Sequence, residues 1–144
     1  MEELFAYALL FCQGYGPNLW ERYAERLDQL FLAEPDNEEY LYLECVTSPK
    51  EAALHLIAAM SETDFDTELF GRALMELIGE VYAKSNLIDF SKQMVSLWCA
   101  LPNSILLEEP FHILSYADEH LTYGGGEPQC RALYEKAIHY YDKK

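Results

Sequence analysis

The chain has 144 residues, and its 25 aspartates and glutamates outnumber its 10 lysines and arginines, which leaves a formal net charge of −15. A negative field of this size repels phosphate backbones and anionic lipid head groups, and it attracts basic proteins. The composition argues against nucleic acid and membrane surfaces as partners, because no cluster of lysine and arginine offsets it. It predicts a basic protein partner, and it leaves the oligomeric state open.

The carboxylates are concentrated toward the start of the chain. Residues 1–48 carry ten acidic and two basic side chains, whereas residues 101–144 carry seven and four. Because a chain of this length is typical of one domain, we expect residues 1–144 to form a single acidic domain. Its core should be large enough to fold without disulfides or metal ions.

The first residues do not resemble a secretory signal. Glu2 and Glu3 precede the apolar run 4–12, whereas a signal peptide begins with basic residues. The run is also far shorter than the roughly 20 residues that span a bilayer. It predicts a core helix that is hydrophobic all round, and a cytoplasmic location for the protein.

Apolar residues then recur at helical spacing to the end of the chain, which predicts an all-α fold, a single-domain bundle of seven or eight helices. The inward-facing positions expected for the helices in chain order are Leu19, Tyr23, Leu27, Leu30 and Phe31; Ala53, Leu56, Ile57 and Met60; Leu69, Phe70, Ala73, Leu74, Leu77, Ile78 and Val81; Phe90, Met94, Leu97, Trp98 and Leu101; Leu114, Ala117 and Leu121; and Cys130, Leu133, Tyr134, Ala137, Ile138 and Tyr141.

Capping and breaking residues predict where several helices begin and end. Ser48, Pro49 and Glu51 form a strong helix start, with Ser48 as the cap. Asn86 with Asp89 opens another helix, which Pro102 and Asn103 end. A further helix is expected from Pro110, and the triple glycine 124–126 should separate it from the last helix.

Residues 40–46 are ambiguous. Tyr40, Leu41, Tyr42 and Leu43 alternate in a way that strands favour. A lone strand would have nothing to pair with, so the helix is the favoured interpretation and the strand remains the alternative.

The sequence contains no phosphate-binding loop, nucleophile elbow, dinucleotide fingerprint or HExxH motif. The four cysteines, Cys12, Cys45, Cys99 and Cys130, have no zinc-site spacing and lie in apolar stretches, so they should be buried reduced thiols. We therefore expect no enzyme activity, no catalytic residue, no metal and no cofactor.

Three histidines each follow a glutamate by four positions, in the pairs Glu51/His55, Glu108/His112 and Glu135/His139. This spacing is typical of side-chain pairs on a helix surface. His112, Tyr116 and His120 share one helical face near Asp118 and Glu119, which leaves a metal-dependent enzyme as an alternative.

An acidic stretch with tyrosines predicts the partner-binding site. Five carboxylates and two phenols occur within eleven residues, namely Glu34, Asp36, Glu38, Glu39, Tyr40, Tyr42 and Glu44. Tyrosine offers rigid contact area, and carboxylates around it would meet lysine and arginine on a basic partner. The alternative is an ordinary solvated face whose tyrosines turn into the core. If the interface lies here, replacing Glu38, Glu39 and Tyr40 by alanine should abolish capture without affecting folding.

A small, helical, acidic protein with tyrosine-flanked carboxylates resembles bacterial immunity proteins of contact-dependent inhibition and other polymorphic toxin systems. The resemblance implies that the chain binds and blocks a basic cognate toxin domain, such as a nuclease, stoichiometrically and without turnover. The immunity proteins of nuclease colicins are similar in pairing adjacent tyrosines with an acidic helix. Tyr140 and Tyr141 form such a pair here, but Lys143 and Lys144 follow them, so that family's site is not transferred.

Three other functions remain as alternatives. A helical adaptor or chaperone-like module would present a contiguous apolar patch, near Trp20 or Trp98. A nucleic-acid mimic would need its acids in two regular rows, against which the concentration of acids at the front of the chain argues. The metal-dependent enzyme would use His112 and His120.

Overall fold

A computed structural model describes residues 1–14, 18–62, 65–122 and 126–142. Within these ranges it contains helices α1 (Glu2–Cys12), α2 (Leu19–Ala33), α3 (Glu38–Cys45), α4 (Pro49–Glu62), α5 (Thr67–Lys84), α6 (Leu87–Ala100), α7 (Ile113–Tyr116), α8 (Glu119–Thr122) and α9 (Glu127–Ile138), and a 3-10 turn at Asn103–Ile105. Seven of the helices have eight residues or more, and the described residues form no strand. The predicted all-α fold is confirmed, and residues 40–45 belong to a helix.

The chain divides into two compact units, Met1–Asp66 and Thr67–Lys144, and each is described by itself. The expectation that residues 1–144 act as a single domain stays a prediction. None of the helices in the described ranges is both long and apolar enough to cross a membrane.

In the first unit, α1 packs against both α2 and α4, and α3 packs against α2. Leu4, Phe5, Leu9 and Leu10 of α1 are almost fully buried, which confirms the predicted core helix. The Nε of Arg26 in α2 donates a 2.9 Å hydrogen bond to Glu3, so one of the two acidic residues at the start of α1 is paired. The core of this unit therefore forms around α1, because that helix has few polar positions to turn toward water.

In the second unit, α5 contacts α6 and α9, and α7 packs against α6 and α9. Its core is aromatic: Phe90 meets Tyr134 edge-to-face at a centroid distance of 4.8 Å, and Phe70 stacks on Phe111 at 5.8 Å. Such pairs add to the free energy gained by burying the rings.

Two predicted helix starts are confirmed. The Oγ of Ser48 accepts a hydrogen bond from the amide of Glu51 at 3.5 Å, and α4 begins at Pro49. Asn86 accepts from the amide of Asp89 at 2.9 Å, while its side-chain amide donates to the Asp89 carboxylate at 2.8 Å. These caps satisfy amides that a helix start leaves without intrahelical partners.

The predicted helix from Pro110 is only partly correct. Residues 110–112 form turns, and the amides of Ile113, Leu114 and Ser115 each bond to the carbonyl three residues earlier. This tighter hydrogen-bonding pattern is that of a 3-10 turn, which leaves only the single-turn helices α7 and α8. Of the predicted glycine break, Gly124 and Gly125 lie outside the described residues, whereas Gly126 precedes α9 with φ of 88°.

The prediction that all four cysteines are buried is wrong. Cys130 is buried, but Cys12, Cys45 and Cys99 are exposed, and all four thiols are free. Cys12 and Cys45 are the last residues of α1 and α3, and Cys99 is the penultimate residue of α6. Each of these three cysteines therefore lies at or next to the C-terminal residue of its helix with its side chain reaching solvent, although its neighbours in the sequence are apolar.

Candidate functional site

The acidic stretch is built around α3. The helix begins after Asn37, whose Oδ1 accepts hydrogen bonds from the amides of Glu39 at 3.0 Å and Tyr40 at 3.2 Å. Glu38 and Glu39 occupy the first turn, where the helix dipole favours negative charge. The cap and the dipole together explain why so acidic a segment is helical.

Packing against α2 divides the predicted site residues into two groups. Tyr40 and Leu43 are 7% and 1% exposed, so they form the buried face of α3. Glu38, Glu39, Leu41 and Tyr42 are exposed, as are Glu34 and Asp36 in the preceding connection. We call these six exposed residues, Glu34, Asp36, Glu38, Glu39, Leu41 and Tyr42, the α3 surface.

His55 of α4 holds the outer side of α3 in place. Its Nε2 lies 2.5 Å from a carboxylate oxygen of Glu39, and its ring packs on Tyr42 at a centroid distance of 4.3 Å. Tyr42 is nevertheless 49% exposed. One face of the phenol is therefore ordered by the protein while the remainder stays available to a partner, and His55 pairs with Glu39 rather than with the expected Glu51.

Tyr40, although part of the predicted site, is a core residue. Burial raises the pKa of its phenol, and the nearby charges of Glu34 and Glu2 raise that pKa further. Replacing Tyr40 by alanine would remove a buried ring, so the expectation that the triple alanine variant folds normally does not fit this packing.

Glu44 also turns away from the α3 surface. Its carboxyl group shares a hydrogen bond with Asp28 of α2, and this bond, together with burial and the Asp28 charge, raises the Glu44 pKa to about 7. The buried phenol of Tyr23 has a pKa raised to about 12 by burial and by the Glu44 carboxylate. Glu44 thus joins α3 to α2 and contributes to packing rather than to the exposed surface.

Exposed leucines on α2, α3 and α4 were not predicted from the sequence, and one of them, Leu41, belongs to the α3 surface. Leu41 is 51% exposed, Leu32 in the last turn of α2 is 79% exposed, and Leu54, which precedes His55, is 58% exposed. The sequence did hold a signal for the exposure of Leu41. Tyr40 and Leu43 are three residues apart and so share one face of a helix, which places Leu41 on another face.

The other histidine pairs do not form as expected. The His139 Nδ1 lies 2.6 Å from Asp142, and only its backbone amide reaches Glu135, donating to the carbonyl at 3.0 Å; the His112 ring packs edge-to-face on Tyr116 at 5.2 Å. Within the described residues, no three His, Cys, Asp or Glu side chains lie close enough together to hold a metal ion.

Comparisons with protein-family models, with curated proteins and with solved structures find no match to this chain. The resemblance to immunity proteins therefore stays a prediction.

Proposed function

We propose that this protein is an immunity protein that binds a basic cognate toxin domain through the α3 surface and blocks it stoichiometrically. The observation that carries the proposal is the exposure of Leu41 and Tyr42 among four exposed carboxylates. Exposed acids occur on most helices of the described chain, and at α3 they accompany an exposed leucine and an exposed, partly ordered tyrosine that an interface could bury.

The two kinds of side chain would act at different stages of binding. Carboxylates attract a cationic partner over distances comparable with the Debye length, which raises the association rate. Tyrosine at the centre of an interface slows dissociation, because its burial is lost only when the partners separate. Tyr42 is suited to this role since its packing on His55 reduces the entropy it would lose on binding.

The test needs a variant that changes the α3 surface and leaves the core intact. We choose Glu38→Lys combined with Tyr42→Ala, because both residues are exposed. The matched control is Glu21→Lys combined with Leu107→Ala, which makes an equal charge change and removes another exposed apolar side chain, 79% exposed. Circular dichroism checks that both variants fold.

The partner to test is a toxic C-terminal domain encoded by the gene immediately upstream, co-expressed with this protein. We expect the wild type and the control to rescue growth and to form a one-to-one complex with the purified domain. The α3 variant should bind about 30-fold more weakly or worse, as expected for the loss of a hot-spot contact of about 2 kcal/mol. Equal affinity of the α3 variant and the control for the toxin domain would show that the α3 surface is not part of the interface.

A helical adaptor or chaperone-like module is the second candidate, and the 79% exposure of Leu32 favours it. The tryptophans near which an apolar patch was expected are only partly exposed: Trp20 stacks on Tyr23 at 4.8 Å, and the Trp98 Nε1 donates a 2.9 Å hydrogen bond to the carbonyl of Leu106. Two results together would support the adaptor. The wild type would fail to rescue growth, and it would still capture unfolded client chains, whereas Leu32→Ser would abolish that capture.

A further inference from the structure

A groove of about 730 Å³ lies between α5 and α9 in the second unit. Its floor is apolar and includes Met75, Gly79 and Ile138. A β-carbon on Gly79 would lie 3.2 Å from the Ile138 Cγ2, so the glycine allows α5 and α9 to approach closely at the base of the groove. The volume is within the range of about 300–1,000 Å³ that is typical of ligand sites.

Carboxylates line both walls of this groove. Glu76 and Glu80 project from α5 one helical turn apart, and Glu135 projects from α9 on the opposite side. Within the described residues neither Glu76 nor Glu135 is paired with a cation. The groove thus combines an apolar floor with negative walls.

The basic groups at one end of the groove are already engaged. Arg72 donates hydrogen bonds of 3.2 Å to Glu68 and to the carbonyl of Tyr141, and His139 contacts Asp142 at 2.6 Å. Among the described residues that line the groove, the acidic side chains are Glu76, Glu80, Glu135 and Asp142, against the one guanidinium of Arg72, so the local field is negative.

We propose that the α5–α9 groove binds a short segment of another protein in which apolar side chains alternate with lysine or arginine. The apolar side chains would pack against Gly79 and Ile138, since Met75 beneath them is only 2% exposed, while the cations would meet Glu76 on one wall and Glu135 on the other. Charge complementarity selects this occupant, because an acidic segment would be repelled and an uncharged one would leave the carboxylates unpaired as it displaced their water. The inference does not depend on the function proposed for the α3 surface.

The probe is the fluorescein-labelled peptide Lys-Leu-Arg-Leu-Lys, compared with Lys-Ser-Arg-Ser-Lys and Glu-Leu-Glu-Leu-Glu. Binding is measured by fluorescence anisotropy, and the bound site is located by amide chemical-shift changes in the full-length chain. We expect the first peptide to bind with shifts centred on Gly79 and Ile138. The serine and glutamate peptides should each bind at least about tenfold more weakly.

The variant Glu76→Gln with Glu135→Gln keeps side-chain size and removes both wall charges. It should weaken binding of the first peptide about tenfold or more, whereas Glu21→Gln with Glu25→Gln on α2, an equal charge change, should not. Equal weakening by both variants, equal binding of the serine peptide, or shifts outside the groove would each overturn the proposal. Glu38→Lys with Tyr42→Ala should leave peptide binding unchanged, so failure here and failure of the α3 proposal are separate results.

Discussion

At the scale of single residues, Tyr40 and Tyr42 have opposite environments although they are the same residue type two positions apart. Successive residues on a helix are separated by about 100°, so these two rings point to nearly opposite sides. Tyr40 is 7% exposed in the core beside α2, and Tyr42 is 49% exposed on His55. Only Tyr42 can contribute its ring to an interface without disturbing the fold.

Glu44 should make the stability of the first unit depend on pH in a predictable direction. Its pKa is raised to about 7, chiefly by the hydrogen bond with Asp28, whereas an unfolded glutamate titrates near about 4.3. The folded state therefore binds the proton more tightly than the unfolded state. This contribution is fully present below about pH 4.3, and it is lost as the pH rises through about 7.

The measurement is urea unfolding of the wild type and of Glu44→Gln at several pH values between 4.5 and 8. The glutamine keeps a neutral donor opposite Asp28, so the difference in unfolding free energy between the two proteins should change across this range. Glu25→Gln, which removes an exposed carboxylate from α2, is the control and should show little change. A pH-independent difference for Glu44→Gln would contradict the raised pKa.

At the scale of helices, α3 has only eight residues, and a helix of that length is not stable by itself in water. It depends on the Asn37 cap and on burial of Tyr40 and Leu43. The α3 surface therefore exists only because the cap and the core fix the helix.

Asn37→Ala should lower the free energy of unfolding by about 1 kcal/mol, because two amides at the start of α3 lose their acceptor. Asn18 is a matched control, since it precedes α2 in the same cap position but makes no side-chain cap hydrogen bond. Asn18→Ala should change stability by less than about 0.5 kcal/mol. Urea unfolding compares the two, and similar losses would show that the Asn37 cap contributes nothing specific.

Contact between α5 and the turn that follows α9 requires a glycine at position 71. A β-carbon there would lie 2.2 Å from the Tyr141 hydroxyl oxygen and 2.6 Å from the ring carbon that carries it, so the whole ring would have to move. Gly71→Ala should destabilise the protein even though alanine is favoured over glycine by about 1 kcal/mol within a helix.

A double-mutant cycle tests this explanation. In a Tyr141→Ala background the overlap is absent, so Gly71→Ala should then stabilise the protein by up to about 1 kcal/mol. Thermal unfolding of the four proteins gives the coupling energy. If Gly71→Ala changed the stability equally in both backgrounds, Tyr141 would not be the group that a β-carbon at position 71 overlaps.

At the scale of the whole molecule, the net charge of −15 opposes folding, because carboxylates approach one another in the folded chain. The ion pairs in the described ranges are mainly exposed, such as Arg72–Glu68 and Arg131–Glu127, and exposed pairs contribute little. The repulsion is therefore only slightly offset within the chain.

Raising sodium chloride from about 20 mM to about 500 mM should increase the free energy of unfolding, because screening shortens the reach of this repulsion. Urea unfolding at the two concentrations gives the change. A basic partner should also reduce this repulsion when it binds. Salt should therefore stabilise the free protein and weaken the proposed complex. Unchanged or lower stability at high salt would contradict the argument.

The helices themselves followed from the sequence, because periodicity and capping are local properties. Ser48 and Asn86 cap the helices they were expected to cap, and the predicted inward residues Leu74, Phe90 and Tyr134 are fully buried. The acidic character of the α3 segment was equally visible, since charge depends on composition and not on packing.

Tertiary packing decided which of those residues reach solvent. Tyr40 and Glu44 turned toward α2, whereas Leu41 and Tyr42 stayed outside, and His55 paired with Glu39 instead of Glu51. The α5–α9 groove also has no local signal, because its walls come from helices that lie far apart in the chain. Periodicity places a side chain on a face of its own helix, but only the neighbouring helices determine which face is covered.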